Sequence, residues 1–125
     1  TGTWVSVGTL RVKLVSALAP LVQDAVITGH DRDEVGALLF PSAAGAALPA
    51  AEFAQQVRSA LREMKASGAG SSQVPMRAMV LDEPPSPEGG EITDKGYINQ
   101  RAVLSRRAAS VQALHAGAPG VITLN

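Results

Sequence analysis

The stretch VQDAVITGHDRDEVGALLFP, residues 22–41, predicts the centre of the fold. Its two ends, VQDAVITG and VGALLFP, are rich in aliphatic residues and are separated by the charged segment HDRDE. Two such runs around a polar turn favour a pair of strands joined as a hairpin. The second run is almost wholly apolar, which is typical of a strand buried on both faces in the middle of a sheet.

Helical periodicity appears on both sides of this hairpin. Thr9 can cap a first helix that ends at Pro20, and Pro49 stands where a first-turn proline belongs in a second helix that continues to Gly68. Asn99 is a capping residue type at the start of a third helix. The apolar positions at helical spacing are Leu10, Leu14, Ala17 and Leu18 in the first helix, Phe53, Val57, Ala60, Leu61 and Met64 in the second, and Val103, Leu104, Ala108, Val111 and Leu114 in the third.

Two further strands and three connectors complete the secondary-structure prediction. The segments TWVSV, residues 3–7, and MRAMVLD, residues 76–82, have the composition of short strands. Loops are predicted over the small-residue segment 42–48, over ASGAGSSQ at 66–73 and over EPPSPEGG at 83–90. Small residues, Gly, Ser and Pro dominate these three segments, and Gly and Pro interrupt regular structure.

Together these elements predict one α+β domain. A length of 125 residues is sufficient for a single hydrophobic core but not for two. We expect a small sheet of three to four strands, mostly antiparallel, packed against about three helices. Because the chain opens on a strand-like segment without an initiator Met, residues 1–125 are expected to be a piece of a larger protein.

Composition and charge limit the partners and the compartment. Lys and Arg number 11, as do Asp and Glu, so no net field favours nucleic acid or an anionic membrane surface. The absence of cysteine excludes disulfides, zinc–thiolate sites and cysteine nucleophiles, and fits a reducing compartment. The apolar runs are too short to span a bilayer, and no signal-peptide pattern opens the chain. A cytoplasmic protein is therefore expected.

Three groups of polar residues have the chemistry of possible sites but are better explained by structural roles. The segment HDRDE, residues 30–34, has an imidazole and three carboxylates, but it lacks calcium-loop spacing, so a solvated turn is favoured and no metal site is predicted. His115 suits the negative end of the last helix. The arginines Arg101, Arg106 and Arg107 are predicted to form a solvated helix face, since stacking aromatics are scarce.

The turn around Lys95 is the most suggestive feature for chemistry. Lys95 lies between Thr93-Asp94 and Gly96-Tyr97, and a neighbouring glycine allows an unusual backbone conformation that could bring the ammonium close to a phosphate or carboxylate. An ordinary surface turn is the alternative. Trp4, the one tryptophan, is more typical of a core or interface anchor than of a ligand platform.

Two long strings resemble a known enzyme domain. TGTWVSVGTLRVKLVSALAPLVQDAVITGHDRDEVGALLFP (residues 1–41) and GEITDKGYINQRAVLSRRAASVQAL (residues 90–114) resemble the C-terminal domain of AMP-forming acyl- and aryl-CoA synthetases, most closely the feruloyl-CoA synthetase branch. TGTWVSVGTLR is similar to the glycine-containing segment that follows the family's interdomain hinge. TDKGYINQR lies where the family has its C-terminal catalytic lysine. The resemblance extends over nearly the whole chain.

The resemblance implies a two-step ligase. A carboxylate attacks the α-phosphorus of ATP to give an acyl-adenylate and pyrophosphate, and the thiol of CoA then displaces AMP. The small domain turns about its hinge between the steps, presenting first its lysine turn and then its glycine segment. ATP, Mg²⁺ and CoA would be bound mainly by a large N-terminal adenylation domain outside residues 1–125, so the isolated fragment is expected to be inactive.

The resemblance also implies site residues. Gly2, Thr3 and Trp4 would border the CoA tunnel, and Lys95 would stabilise negative charge during adenylation. The common family turn has the order threonine, any residue, serine, glycine, lysine, so a strict overlay on TDKGY places Tyr97 at the lysine position. Lys95 is preferred because it has the only ammonium in the turn.

Two rival classes of function remain open at the level of sequence. The first is a noncatalytic binding or interaction domain that uses the arginine-rich helix, residues 101–107. The second is the corresponding domain of an adenylating enzyme whose acceptor is the phosphopantetheine arm of a carrier protein. Titration of the chain with nucleic acid or with CoA would separate the first class from a catalytic domain, whereas the second class would share the fold and the lysine turn.

Overall fold

The fold is built on a four-stranded sheet whose strands lie side by side in chain order. A computed structural model describes residues 7–29, 34–67 and 74–124 of the chain. The helices and strands are α1 (Val7–Leu18), β1 (Val22–Thr28), β2 (Gly36–Pro41), α2 (Ala43–Ala46), α3 (Ala50–Ala66), β3 (Arg77–Val80), α4 (Gln100–Arg106), α5 (Ala108–Ala116) and β4 (Ile122–Thr123).

The sheet is mixed, with β2 at its centre. Strand β2 is antiparallel to β1 and parallel to β3, and β3 is antiparallel to β4, so two of the three pairings are antiparallel. The parallel pair is joined by the crossover that contains α2 and α3, as parallel pairing requires. Residues 36–40 are all buried, which confirms the predicted central strand. The predicted turn residues 30–33 lie outside the described part of the chain.

Helices cover both faces of the sheet, because successive strand residues point to opposite sides. On one face, Ile27 and Leu39 pack with Leu14 of α1 and with Phe53 and Leu61 of α3. All five side chains are at most 4% exposed. The predicted apolar faces of the first two helices are thus confirmed as the core that holds α1 and α3 on the sheet, except at Ala17, which is exposed.

The opposite face is covered by the C-terminal helices. Val26, Leu38 and Phe40 of the sheet form a second apolar cluster with Val103 of α4 and Leu114 of α5. All five side chains are fully buried. The predicted α+β domain is confirmed, with a three-layer arrangement and five helices in the described residues where about three were expected.

The first helix begins earlier than the sequence predicted. The predicted strand was residues 3–7, of which 3–6 lie outside the described residues and Val7 is the first residue of α1. Val7 packs against the same cluster as Leu10 and Leu14, one and two turns further along. Helical spacing from the core positions therefore extends back to Val7, and Thr9, which was predicted as the N-cap, lies inside α1.

The predicted loop at residues 42–48 contains a short helix. Ser42 is the N-cap of α2, and its hydroxyl oxygen accepts a hydrogen bond from the Gly45 N–H at 3.1 Å. The Ser42 N–H donates to the Leu21 carbonyl at 2.9 Å. Small residues can form one helical turn where a capping serine is held by the preceding segment.

The predicted third helix is divided in two at Arg107. Its N-cap Asn99 is confirmed, since the side chain accepts from the Ala102 N–H at 3.2 Å. Arg107, with φ −110° and ψ 35°, separates α4 from α5. The break coincides with side-chain contacts of Arg107 that an exposed helix residue would not make.

Strand β4 was not predicted. It has two residues, too few for an alternating pattern, and it is a strand only because Ile122 and Thr123 pair with Ala78 and Arg77 of β3. The strand also meets α3, where the Arg58 guanidinium donates to the Thr123 carbonyl at 3.0 Å. In the described parts of the chain, no helix has the length and apolar character needed to cross a membrane.

Candidate functional site

Residues 91–99 form a short hairpin, here called the lysine hairpin. Ile92 and Ile98 pair as an antiparallel bridge. At the base, the Asn99 N–H donates a hydrogen bond to the Glu91 carbonyl at 2.8 Å. The segment that the sequence predicted only as a turn is therefore a small two-stranded element, placed between the Pro-rich loop and α4.

The tip of the lysine hairpin is a three-residue loop with Lys95 in its middle. The Thr93 N–H donates to the Tyr97 carbonyl at 2.8 Å, and the Gly96 N–H donates to the Thr93 carbonyl at 2.9 Å. Gly96 has φ +85°, the left-handed conformation that such loops require at their third position. The glycine beside the lysine is thus needed to close the loop, since residues with a side chain rarely adopt this conformation.

Both candidates for the catalytic position lie at this tip. Residues 93–97 are all exposed, and Tyr97 is 65% exposed. Within the described residues, no carboxylate lies at ion-pair distance from the Lys95 ammonium. Lys95 and Tyr97 are therefore both accessible on one turn, and the ammonium of Lys95 is not neutralised by a described acidic neighbour.

The base of the hairpin is fixed by a buried carboxylate. Glu91 has no solvent exposure, and its Oε2 and Oε1 accept from Nε and Nη2 of Arg107 at 2.8 and 2.9 Å. Its Oε1 also accepts from the Ser86 N–H at 2.8 Å and lies 3.2 Å from Nη1 of Arg106. These interactions lower the pKa of Glu91 from 4.5 to about 2, with the Arg107 hydrogen bonds as the largest cause and burial opposing them.

Arg107 joins this carboxylate to two other parts of the domain. Its Nη1 donates to the Glu83 carbonyl at 3.1 Å, and its Nη2 to the Pro84 carbonyl at 3.0 Å. The guanidinium also lies over the Phe40 ring, 5.0 Å from its centroid, at the end of β2. The Glu91 hydrogen bonds raise the pKa of Arg107. We call Glu91 and Arg107 the Glu91–Arg107 clamp.

The other end of the hairpin is attached to the edge of the sheet. Gln100 directly follows the hairpin, and its Oε1 accepts from the Ile27 N–H of β1 at 2.9 Å. Because β1 is an edge strand, this N–H faces away from β2 and needs a partner outside the sheet. The hairpin is therefore anchored at its first residue by the clamp and just after its last residue by Gln100.

The predicted solvated arginine face was only partly right. Arg101 is exposed and Arg106 has 47% side-chain exposure, but the Arg107 side chain is only 12% exposed and binds Glu91. Periodicity could not reveal this pair, because Glu91 and Arg107 are 16 positions apart and lie in different elements. A glutamate directly before an apolar hairpin strand was the only local signal.

Other predicted positions have structural roles or lie outside the described residues. His115 is in the last turn of α5 as predicted, and its Nε2 lies 2.6 Å from the Thr28 hydroxyl oxygen. Glu34, from the HDRDE segment, pairs with Arg77 at 3.1 Å. Gly2, Thr3 and Trp4, predicted at the CoA tunnel, are outside the described residues. The described ranges contain no group of three potential metal-ligating side chains.

Solved structures with a similar fold include parts of carboxylic acid reductases. The A domain of the carboxylic acid reductase of Segniliparus rugosus, with AMP and a co-purified carboxylic acid, has a TM-score of 0.73 and 21% identity over 93% of this chain and 19% of that chain. The A-PCP didomain of the same enzyme, with AMP, has a TM-score of 0.66 and 21% identity over 90% of this chain and 16% of that chain. The A domain of a Mycobacterium chelonae carboxylate reductase has a TM-score of 0.69 and 19% identity over 88% and 18%.

The chain thus spans less than a fifth of these structures, and at this identity the likeness concerns the fold. No curated protein sequence matches the chain significantly. Residues 9–118 match the family described as the AMP-binding enzyme C-terminal domain, which confirms the family resemblance at that level. The matched range contains β1 to β3, the helices that cover both faces of the sheet and the lysine hairpin. The chain therefore belongs to the family of AMP-binding enzyme C-terminal domains.

Proposed function

We propose that residues 1–125 are the mobile C-terminal domain of an AMP-forming acid:CoA ligase. The sequence resemblance described above favours a carboxylic acid of the feruloyl or cinnamate type, with other carboxylic acids as the alternative. ATP, Mg²⁺ and CoA are bound mainly by an N-terminal adenylation domain of the same protein, and residues 1–125 close over them. Family membership supports the adenylating chemistry, and the exposed lysine hairpin supports a direct part for this domain in it.

Lys95 is the residue we assign to the adenylation step. The observation that supports this is its position in the middle of a three-residue loop, exposed and free of described carboxylates, on a hairpin that is anchored at both ends. In the closed arrangement, the ammonium lies between the attacking carboxylate oxygen and the α-phosphate. It neutralises charge that develops in the transition state and holds the two reactants in line.

Gly2, Thr3 and Trp4 complete the proposal as the CoA-binding segment. An extended backbone at these positions would hydrogen-bond the amides of the pantetheine arm, and Gly2 would allow the ligand to approach closely. The two half-reactions thus use different parts of one small domain. This division makes the proposal testable, because a substitution in one part should spare the step that uses the other.

The decisive experiment compares Lys95→Ala and Tyr97→Phe with the wild type in the full-length protein. Removal of one preorganised electrostatic group costs about 3 to 4 kcal/mol, or roughly a few hundredfold in rate. We expect this loss for Lys95→Ala when acid and ATP are supplied and pyrophosphate is followed. Thioester formation from synthetic acyl-adenylate and CoA should remain near wild type.

Tyr97→Phe is the matched control on the same turn, and it decides between the two overlays. A selective loss of pyrophosphate release in Tyr97→Phe would assign the catalytic position to Tyr97. Wild-type pyrophosphate release by Lys95→Ala would reduce Lys95 to a surface turn residue and refute the assignment.

A carrier-protein acceptor is the second candidate, supported by the A-PCP didomain among the similar folds. Adenylation would then be unchanged, and only the acceptor thiol would differ. Supplying the full-length protein with acyl-adenylate and either CoA or a phosphopantetheinylated carrier protein separates the candidates. Thioester formed only on the carrier protein would replace the CoA ligase proposal.

A further inference from the structure

We propose that the Glu91–Arg107 clamp is a positioning element for Lys95: it holds the lysine hairpin against the sheet in one orientation, so that the ammonium enters the active site already aligned. This inference rests on the proposed function of Lys95 in adenylation. Neither clamp residue is placed at the reacting atoms, and both act through the hairpin.

The hairpin cannot fix its own orientation. It has one bridge, between Ile92 and Ile98, and its tip, residues 93–97, is exposed. Isolated two-stranded hairpins are only marginally stable in water. The direction in which Lys95 points is therefore set by contacts at the base of the hairpin and by Ile98, which packs against the apolar cluster on the sheet.

The base contacts have the geometry that such a role needs. Arg107 makes two parallel hydrogen bonds to the Glu91 carboxylate and donates to two carbonyls of the preceding loop, at Glu83 and Pro84. One guanidinium thus fixes both the first residue of the hairpin and the loop that leads into it. The guanidinium also lies over Phe40, a fully buried residue of β2. This contact fixes the position of both segments relative to the centre of the sheet.

Stability alone does not require a buried ion pair here. Replacing a buried pair with well-packed apolar residues is often neutral or stabilising, because the desolvation of two charges offsets their attraction. A planar bidentate pair, in contrast, permits only a narrow range of orientations between the groups it joins. The pair at the base of the lysine hairpin therefore suits alignment of that hairpin better than it suits general stabilisation.

The domain offers a matched control for this role. Arg77 makes a similar but smaller set of contacts than Arg107, with one hydrogen bond to a carboxylate, Glu34, and one to each of two carbonyls, at Leu114 and His115. These partners lie just before β2 and at the end of α5, and none of them belongs to the hairpin. Arg107→Lys and Arg77→Lys each keep the positive charge and lose the planar fork, but only the first change should loosen the hairpin.

The test uses Arg107→Lys, Arg77→Lys and Lys95→Ala in the full-length protein. For Arg107→Lys we expect pyrophosphate release to fall by about tenfold to a hundredfold, since small misplacements of a catalytic group have effects of that size. Thioester formation from acyl-adenylate and CoA should stay near wild type, and Arg77→Lys should be near wild type in both steps. Hydrogen–deuterium exchange of residues 91–99 should be faster in Arg107→Lys only.

The outcomes separate this inference from the proposed function. If Lys95→Ala is impaired but Arg107→Lys releases pyrophosphate as fast as Arg77→Lys, the positioning role is overturned and the role of Lys95 stands. Equal impairment of both half-reactions in Arg107→Lys would also overturn it, as a general loss of structure. Wild-type pyrophosphate release by Lys95→Ala would overturn the proposed function and the positioning role together.

Discussion

The ionised form of Glu91 should stabilise the domain by an amount that depends on pH. Its pKa is lowered from 4.5 to about 2. The carboxylate form of Glu91 is therefore favoured over the protonated form more strongly in the folded state than in the unfolded state. That difference corresponds to about 3 kcal/mol of stabilisation at neutral pH. Because the folded pKa is the lower one, this stabilisation is complete above the unfolded value of 4.5 and is lost as pH falls towards 2.

Glu91→Gln tests this prediction, because glutamine has nearly the shape of the protonated glutamate. We expect the variant to unfold with a free energy about 3 kcal/mol lower than the wild type at neutral pH, and with a deficit of only about 1 kcal/mol at about pH 3. The measurement is urea denaturation followed by circular dichroism at several pH values. A deficit that is the same at all pH values would refute the argument, since it would then arise from packing or neutral hydrogen bonds.

Asp24→Asn serves as the control for this measurement. Asp24 accepts from Arg11 at 2.7 Å, but the two side chains are 25% and 27% exposed. Partly exposed pairs contribute about 1 kcal/mol or less. A loss in Asp24→Asn as large as that in Glu91→Gln would mean that burial is not the reason for the strength of the clamp.

Two further substitutions test the hairpin and the CoA segment. Gly96→Ala should lower the free energy of unfolding by roughly 1 to 2 kcal/mol, because φ at this position is +85°. Gly8 lies in α1 with equally open space around it, so Gly8→Ala should raise the free energy of unfolding by roughly 0.5 to 1 kcal/mol. Both changes are measured by urea denaturation, and the same sign for both would contradict the left-handed loop. Gly2→Leu in the full-length protein should impair thioester formation far more than pyrophosphate release, and equal losses in the two half-reactions would indicate misfolding.

Local patterns in the sequence were sufficient for most of the sheet and helices. The positions Leu10, Leu14 and Leu18 repeat at helical spacing and all face the core, and the apolar run 36–41 is the central strand. These predictions succeeded because burial of one helix face or of a whole strand leaves a pattern within about ten residues of chain. Strand β4 left no such pattern, since two residues become a strand only when β3 is beside them.

In the candidate site too, some features could be predicted from the sequence and others depend on the tertiary structure. The sequence alone determined the lysine turn, since Lys95 and Gly96 are adjacent and a glycine permits the left-handed loop, and it determined the family through two long strings that include this turn. Only the tertiary structure decided that Arg107 is a buried partner of Glu91 and not part of a solvated face. The reason is physical: whether an arginine is exposed or clamped depends on which carboxylate the fold brings to it, and here that carboxylate is 16 positions away in another element.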